Sequence, residues 1–236
     1  LTSSKGLNRF VWNMRYPGPA EKINKTLEQK RYKALGRGEM GERGGPTAMP
    51  GNYQAVLRIE NKKQEHNFEI LKDPRLETSE EDYQAQFDLW MNIRDQLSET
   101  NRLLNQLRRI RREIHVILER PNLQMSKVPD EISLFKDNAE KVIQKLKVLE
   151  NELVQTKNET PSDRLRFPVM LRDRIEGLIS VVAVAEAAPP QQAHEVFQHL
   201  KGLLAEKTSS MQQLLSVDLV TLKELAQKAN IQFFEE

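Results

Sequence analysis

The chain contains no cysteine, which excludes disulfides, thiolate nucleophiles and cysteine-ligated zinc. It has no apolar run of about 18 residues, the length a membrane helix needs. The nearest approach, Leu178 to Ala188, is short and carries Glu186. Nor does one sign of charge dominate. The 36 basic and 34 acidic side chains leave +2, too little for a global field that would gather nucleic acid or a membrane surface. The G-x-S-x-G, H-E-x-x-H, P-loop and EF-hand patterns are all missing, so no standard catalytic or metal constellation announces itself. No signal peptide is present, and the chain opens on Leu1 rather than Met. It therefore reads as a piece of a longer polypeptide, with any targeting segment upstream.

What is present is helical periodicity. From Ser79 to Arg120, apolar residues recur every three or four positions: Tyr83, Phe87, Trp90, Ile93, Leu97, Leu104, Leu107, Ile110, Ile114 and Ile117. Thr100 fills the single gap, and no Pro or Gly interrupts. This spacing predicts one amphipathic helix roughly 60 Å long, opened by Ser79 and Asp82 as a capping box. A helix that long needs partners along its whole length. Pro121 and Pro129 bracket a break. A second helix then follows from Asp130, with a strict three-four seam of Ile132, Phe135, Ala139, Val142, Leu146, Leu149 and Leu153. A third helix is expected from Pro168 to Ala188, with Leu171, Ile175, Leu178, Val182 and Ala185 inward and Ser180, Ala183 and Ala187 set for close approach to a neighbour. After Pro189-Pro190, a fourth helix runs through Leu200, Leu204, Met211 and Leu214, and Asp218 restarts or continues it.

Ahead of the helices, Gly6 to Tyr16 reads as a strand ended by Pro17-Gly18-Pro19. Asn52 to Glu60 and Gln64 to Leu71 read as a hairpin turning at Asn61-Lys62-Lys63, with Tyr53, Ala55, Leu57, Ile59, His66, Phe68 and Ile70 on one face. Three strands with one apolar face make half a sandwich, whose face and edge stay open unless something covers them. Between them lies a Lys/Arg- and Gly-rich stretch with a mobile Gly-rich half. Its Gly36–Gly41 segment, GRGEMG, is a poor phosphate cradle because prolines follow where a helix should start. The fold expected is thus α+β and mostly α: a partial β-sandwich of about three strands over 1–75, with a flexible insertion over 18–50, then an antiparallel four-helix bundle of long helices over 76–236.

Candidate interaction residues are few. Arg108, Arg109 and Arg112, with Arg102, Arg111 and Arg120, offer a phosphate or an acidic partner a basic face. The competing and favoured account is a solvated face paired with itself, Glu113 with Arg109 and Glu99 with Arg102. The four histidines are scattered, and His194 and His199 are five apart, off the spacing that sets two imidazoles on one helical face. Trp12 and Tyr16 fit a sugar-stacking platform, while the core of a half-sandwich competes for the same rings. Trp90 belongs to the helical core. No residue calls for a cofactor.

Three phrases carry a resemblance: GLNRFVWNMRYPGPA (Gly6–Ala20), GPTAMPGNYQAVLRIENK (Gly45–Lys62) with LKDPRL (Leu71–Leu76), and DRLRFPVMLRDRIEGLISVVAVAEAAPPQQAHEVF (Asp163–Phe197). Together they resemble the C-terminal region that follows the sortilin-type, BNR-repeat β-propeller in large secreted bacterial proteins, often labelled glycosyl hydrolase-like. The resemblance covers most of the chain, least so over residues 20–45. It implies an Ig-like sandwich, similar to the flagellar-hook-cap type, followed by helices and placed outside the cytoplasm. Its Trp-Asp-x-Arg strand falls on Trp12 to Arg15, which adds Arg15 to the candidate interaction residues. Asn13 stands where that family usually has Asp, removing an acid role there.

Three readings follow. The first is a non-catalytic structural and protein-interaction module that docks to the N-terminal portion of its own polypeptide or to another subunit, with no nucleic acid and no membrane insertion. The second is an accessory part of a glycoside hydrolase whose catalytic carboxylates lie in an upstream propeller. The third is a cytosolic coiled-coil adaptor dimerising through Ile132–Leu153.

Overall fold

The computed structural model describes residues 5–23, 44–123, 129–157, 163 and 165–233. It is mostly helical, with a small two-stranded antiparallel sheet. An extended arm, residues 5–23, leads to strands β1 (Gly51–Ile59) and β2 (Lys62–Ile70). Helices α1 (Glu80–Leu118), α2 (Asp130–Leu153), α3 (Leu171–Val182), α4 (Gln191–Gln213) and α5 (Leu219–Lys228) follow. A π-turn, Leu214–Asp218, joins α4 to α5 as a continuous rod. The GRGEMG segment lies outside the described residues.

Helix α1 starts where its sequence says. Ser79 N–H donates to Asp82 Oδ2 at 3.1 Å, and Asp82 N–H donates to Ser79 Oγ at 3.2 Å, the reciprocal capping box. Its 39 residues make a rod about 58 Å long. Along that rod Ile93, Leu97, Leu104, Leu107, Ile114 and Ile117 are buried to within 1%. Thr100 is buried too, its hydroxyl donating to Gln96 O at 2.8 Å, so the gap in the seam costs no unpaired polar group. Helices α2, α3 and α4 all pack on α1, while α5 packs on α2 and α3 also touches α2 and α4. The seam of α2, from Phe135 to Leu153, goes into this shared core. Asp130 is the first helical residue rather than a cap; Pro129 takes the cap position with no side-chain bond.

Helix α3 is shorter than its pattern. It ends at Val182, and carbonyls at and beyond that end are satisfied from the start of α1 and the residues before it: Gln86 Nε2 donates to Val182 O at 2.6 Å and to Ala185 O at 2.5 Å, and Thr78 Oγ1 donates to Glu186 O at 2.5 Å. The chain leaves the helix after Val182, and Ser180, Ala183, Ala185 and Ala187 are exposed rather than packed against a neighbour. Small side chains alone did not create a contact.

The expected first strand does not form. Between Gly6 and Tyr16 the only pairing is an isolated bridge, Arg15 with Thr47. Asn13 Oδ1 accepts from Arg15 N–H at 3.0 Å, and Met14 sits at φ 55°, a left-handed conformation that breaks a strand. The arm instead zips briefly onto residues 45–48: Tyr16 N–H to Pro46 O at 2.9 Å, Gly45 N–H to Tyr16 O at 3.0 Å, and Ala48 N–H to Met14 O at 2.7 Å. Gly45, expected in a mobile loop, is buried there, and a Cβ on it would collide with the Tyr16 and Pro17 carbonyls. Farther along, the arm lies on α1. Ser98 Oγ accepts from Glu21 N–H at 2.9 Å, Asn101 Nδ2 donates to Glu21 O at 2.8 Å, and Asn105 Nδ2 donates to Lys22 O at 2.7 Å.

The hairpin has the expected apolar face but a different turn. Ile59 pairs with Lys62, so Glu60 and Asn61 make a two-residue loop, with Glu60 at φ 50°. Glycine is the residue that such a first position favours. Glu60→Gly should therefore make the hairpin about 0.5–1 kcal/mol more resistant to opening, read as slower amide exchange across β1 and β2 with the helices unchanged. Faster exchange in the hairpin would show that the turn is not the strained point.

Candidate functional site

The sequence-predicted residues separate into three places. Trp12 lies over the base of the hairpin, its ring centroid 5.9 Å from Tyr53 and 6.2 Å from Phe68, with its indole N–H donating to Arg15 O at 3.2 Å. Tyr16 lies edge-on to Phe87 of α1 at 4.9 Å, with its hydroxyl near that of Tyr53. Trp12 and Tyr16 thus both meet Tyr53, with no ring pair between the two themselves. Arg15 sits between them with its guanidinium 5.7 Å from the centre of the Trp90 ring, a cation–π contact.

The arginines of α1 also divide. Arg108, expected on a solvated face, is 8% exposed, and its Nε is 2.6 Å from Glu150 Oε1 of α2. Arg111 holds the other oxygen of the same carboxylate. Arg109 and Arg112 do face solvent, Arg109 with Glu113 Oε1 at 3.9 Å. The periodicity missed this inner group because it weighs residue type, and Arg and Glu score as surface wherever they fall. Arg172 was missed for the same reason. It is 8% exposed, donates from Nε to Asn101 Oδ1 at 2.8 Å and pairs with Glu176 at 3.0 Å. Through Asn101 it reaches the arm at Glu21.

Among the described residues two surfaces stand out for a partner or ligand. One is a groove of about 850 Å³ between the arm, the base of the hairpin, α1 and the chain after α3. Its walls include Arg15, Met49, Ile70, Tyr83, Phe87 and Trp90. Tyr83 donates to Glu186 Oε2 at 2.8 Å, and burial, then that carboxylate, push its phenol up to about 12. The other is the distal hairpin. Beyond the reach of Trp12, Leu57 is 44% exposed and Ile59 59% exposed on the apolar face. Both strand edges are unpaired among the described residues. On the arm, Leu7, Phe10 and Val11 are also largely exposed.

Among the described residues no three His, Asp or Glu side chains come together as a metal site, and no helix is long and apolar enough to cross a membrane. No protein-family model matches the chain, and neither the curated proteins nor the solved structures gave a match.

The Arg108–Glu150–Arg111 group makes a sharp prediction. Glu150→Ala leaves a buried guanidinium without its counter-charge and should lower stability by about 3–5 kcal/mol in urea unfolding. The double replacement Arg108→Met, Glu150→Leu should lose far less. An Ala variant within about 0.5 kcal/mol of the parent would mean the group is effectively solvated.

Proposed function

We propose that this chain is a non-catalytic interaction module, the C-terminal part of a larger secreted BNR-repeat propeller protein, which docks to the N-terminal part of its own polypeptide or to an assembly partner. The observation that carries the proposal is the open distal hairpin: two strands with an apolar face covered only at its base. A hairpin of this kind is marginal alone in water, and an unpaired edge beside exposed apolar residues suits an added strand or a packed sheet face. In the finer form of the proposal, the partner completes an Ig-like sandwich, of which this chain contributes the hairpin and the arm, and the helices form an antiparallel four-helix bundle that holds that half-sandwich in place. The sequence resemblance supports the same reading and an extracytoplasmic location. A parent with glycoside hydrolase-like activity is compatible with it, the chemistry then lying upstream. A coiled-coil homodimer through Ile132–Leu153 would need another face, since that seam is occupied within the chain.

The test is twofold. Intact mass and sequencing of the native polypeptide, captured through this chain, should show propeller sequence ahead of Leu1 or a co-purifying fragment containing it. Leu57→Lys with Ile59→Lys should then leave the isolated chain's thermal stability unchanged and weaken its association with that fragment at least tenfold. A native species of this chain's own mass without a companion, or association indifferent to the double substitution, would overturn the proposal.

A further inference from the structure

The groove described above carries a charge arrangement that strand docking does not use. Three cationic side chains line it, Arg15, Lys72 and Arg75, against two carboxylates, Asp73 and Glu186. Both carboxylates are engaged. Arg75 grips Asp73 through Nε to Oδ1 at 3.0 Å and Nη2 to Oδ2 at 2.6 Å, and Tyr83 donates to Glu186. Lys72 is spent on Thr78 O at 2.9 Å. Arg15 is different. Among the described residues its guanidinium makes one hydrogen bond, from Nη1 to Gly45 O and long at 3.4 Å, and no carboxylate pairs with it. A guanidinium has five N–H donors, so most of this fork, on an exposed side chain, is left to solvent or a ligand. It is also held in place from below. The Trp90 ring supports it, the Asn13 turn fixes its backbone, and the bridge to Thr47 anchors the next strand-like residues. Trp90 itself is 7% exposed, and its indole N–H meets no acceptor among the described residues. Buried donors without partners are uncommon, and each asks for an explanation.

The same groove also has an apolar part, made by Met49, Pro50, Ile70, Leu71 and Phe87. A volume of about 850 Å³ lies within the usual range for small-molecule sites, and a pre-oriented guanidinium recognises a carboxylate through two parallel hydrogen bonds. We propose that this groove binds a small amphipathic carboxylate, with Arg15 taking the carboxylate group and the apolar walls taking the hydrocarbon part. The proposal does not depend on the docking of a partner to the distal hairpin. It requires only the arm, the hairpin base and α1.

The chain's two tryptophans, Trp12 and Trp90, make the test direct. In a Trp12→Phe chain, Trp90 is the only tryptophan reporter. Titration with 3-phenylpropionate should produce a saturable change in its emission. The neutral isostere 3-phenylpropionamide should bind at least tenfold more weakly. Arg15→Gln, with its fold checked by circular dichroism, should weaken 3-phenylpropionate at least tenfold. Arg15→Lys should fall between the two, and Lys201→Gln on the far helix α4 should change nothing. A response that stays linear in concentration, or an amide that binds as well as the acid, would overturn the proposal. So would a folded Arg15→Gln chain with unchanged affinity. If Arg15→Gln fails to fold, the acid–amide comparison on the parent chain still decides.

Discussion

A helix of 39 residues has to be covered along its whole length, and the rest of this structure answers that constraint. Isolated helices draw little stability from propensity; the burial of an apolar face holds them. On α1 the buried positions run from Tyr83 to Ile117, and no single neighbour reaches that far. The cover is divided among α2, α3 and α4, with the extended arm adding polar contacts at Ser98, Asn101 and Asn105. Because several elements surround it, α1 buries more than one stripe. That is why Gln96, Ser98, Asn101 and Arg108 are inside. Each of the last three meets a partner, Ser98 and Asn101 on the arm's backbone and Arg108 on Glu150. An unpaired one would cost more than an apolar residue in its place.

The polar contacts differ from the apolar ones in what they specify. Apolar seams tolerate a sliding register, whereas a guanidinium pair on one carboxylate does not. We read the Arg108–Glu150–Arg111 group as the device that fixes α2 against α1, a role for which a buried charge group is better suited than for adding stability. Asn101 does the same for the arm, linking it through Arg172 to α3. The arm therefore lies on α1 over residues 20–23, and over residues 12–16 it meets both the hairpin, through Trp12, and α1, through Arg15 and Tyr16, so it ties one to the other.

Much of this was legible before the structure. The capping box at Ser79 and Asp82, the α1 seam and the α2 seam depend on local chemistry and on the 3.6-residue period. All three survive into the fold. So does the alternation of Tyr53, Ala55, Leu57 and Ile59, although only its base is covered. What could not be read was anything set by a distant partner. Gly6–Tyr16 has strand-forming residues, but Asn13 and Met14 turn the chain there, and the imperfect alternation was the only warning. The end of helix α3 is satisfied by Gln86, nearly a hundred residues earlier, a contact no local pattern announces. The inner arginine looks like its solvated neighbours because residue type alone does not reveal which face a second helix will cover. Of the candidate site residues, Arg15 was suggested by a motif phrase, and its placement over Trp90 needed the fold.

The central claim is that a rigid helical platform built on α1 carries a hairpin with little stability of its own. Residue-resolved hydrogen exchange of the isolated chain tests it most directly. The amides of α1 from Ile93 to Ile117 should exchange only through global unfolding, and those of Gln54 to Arg58 and Lys63 to Asn67 through local opening that is at least a hundredfold more frequent, about 3 kcal/mol. Equal protection in the hairpin and in α1 would contradict the account, because the sheet would then be part of the cooperative core and not an open surface awaiting a partner.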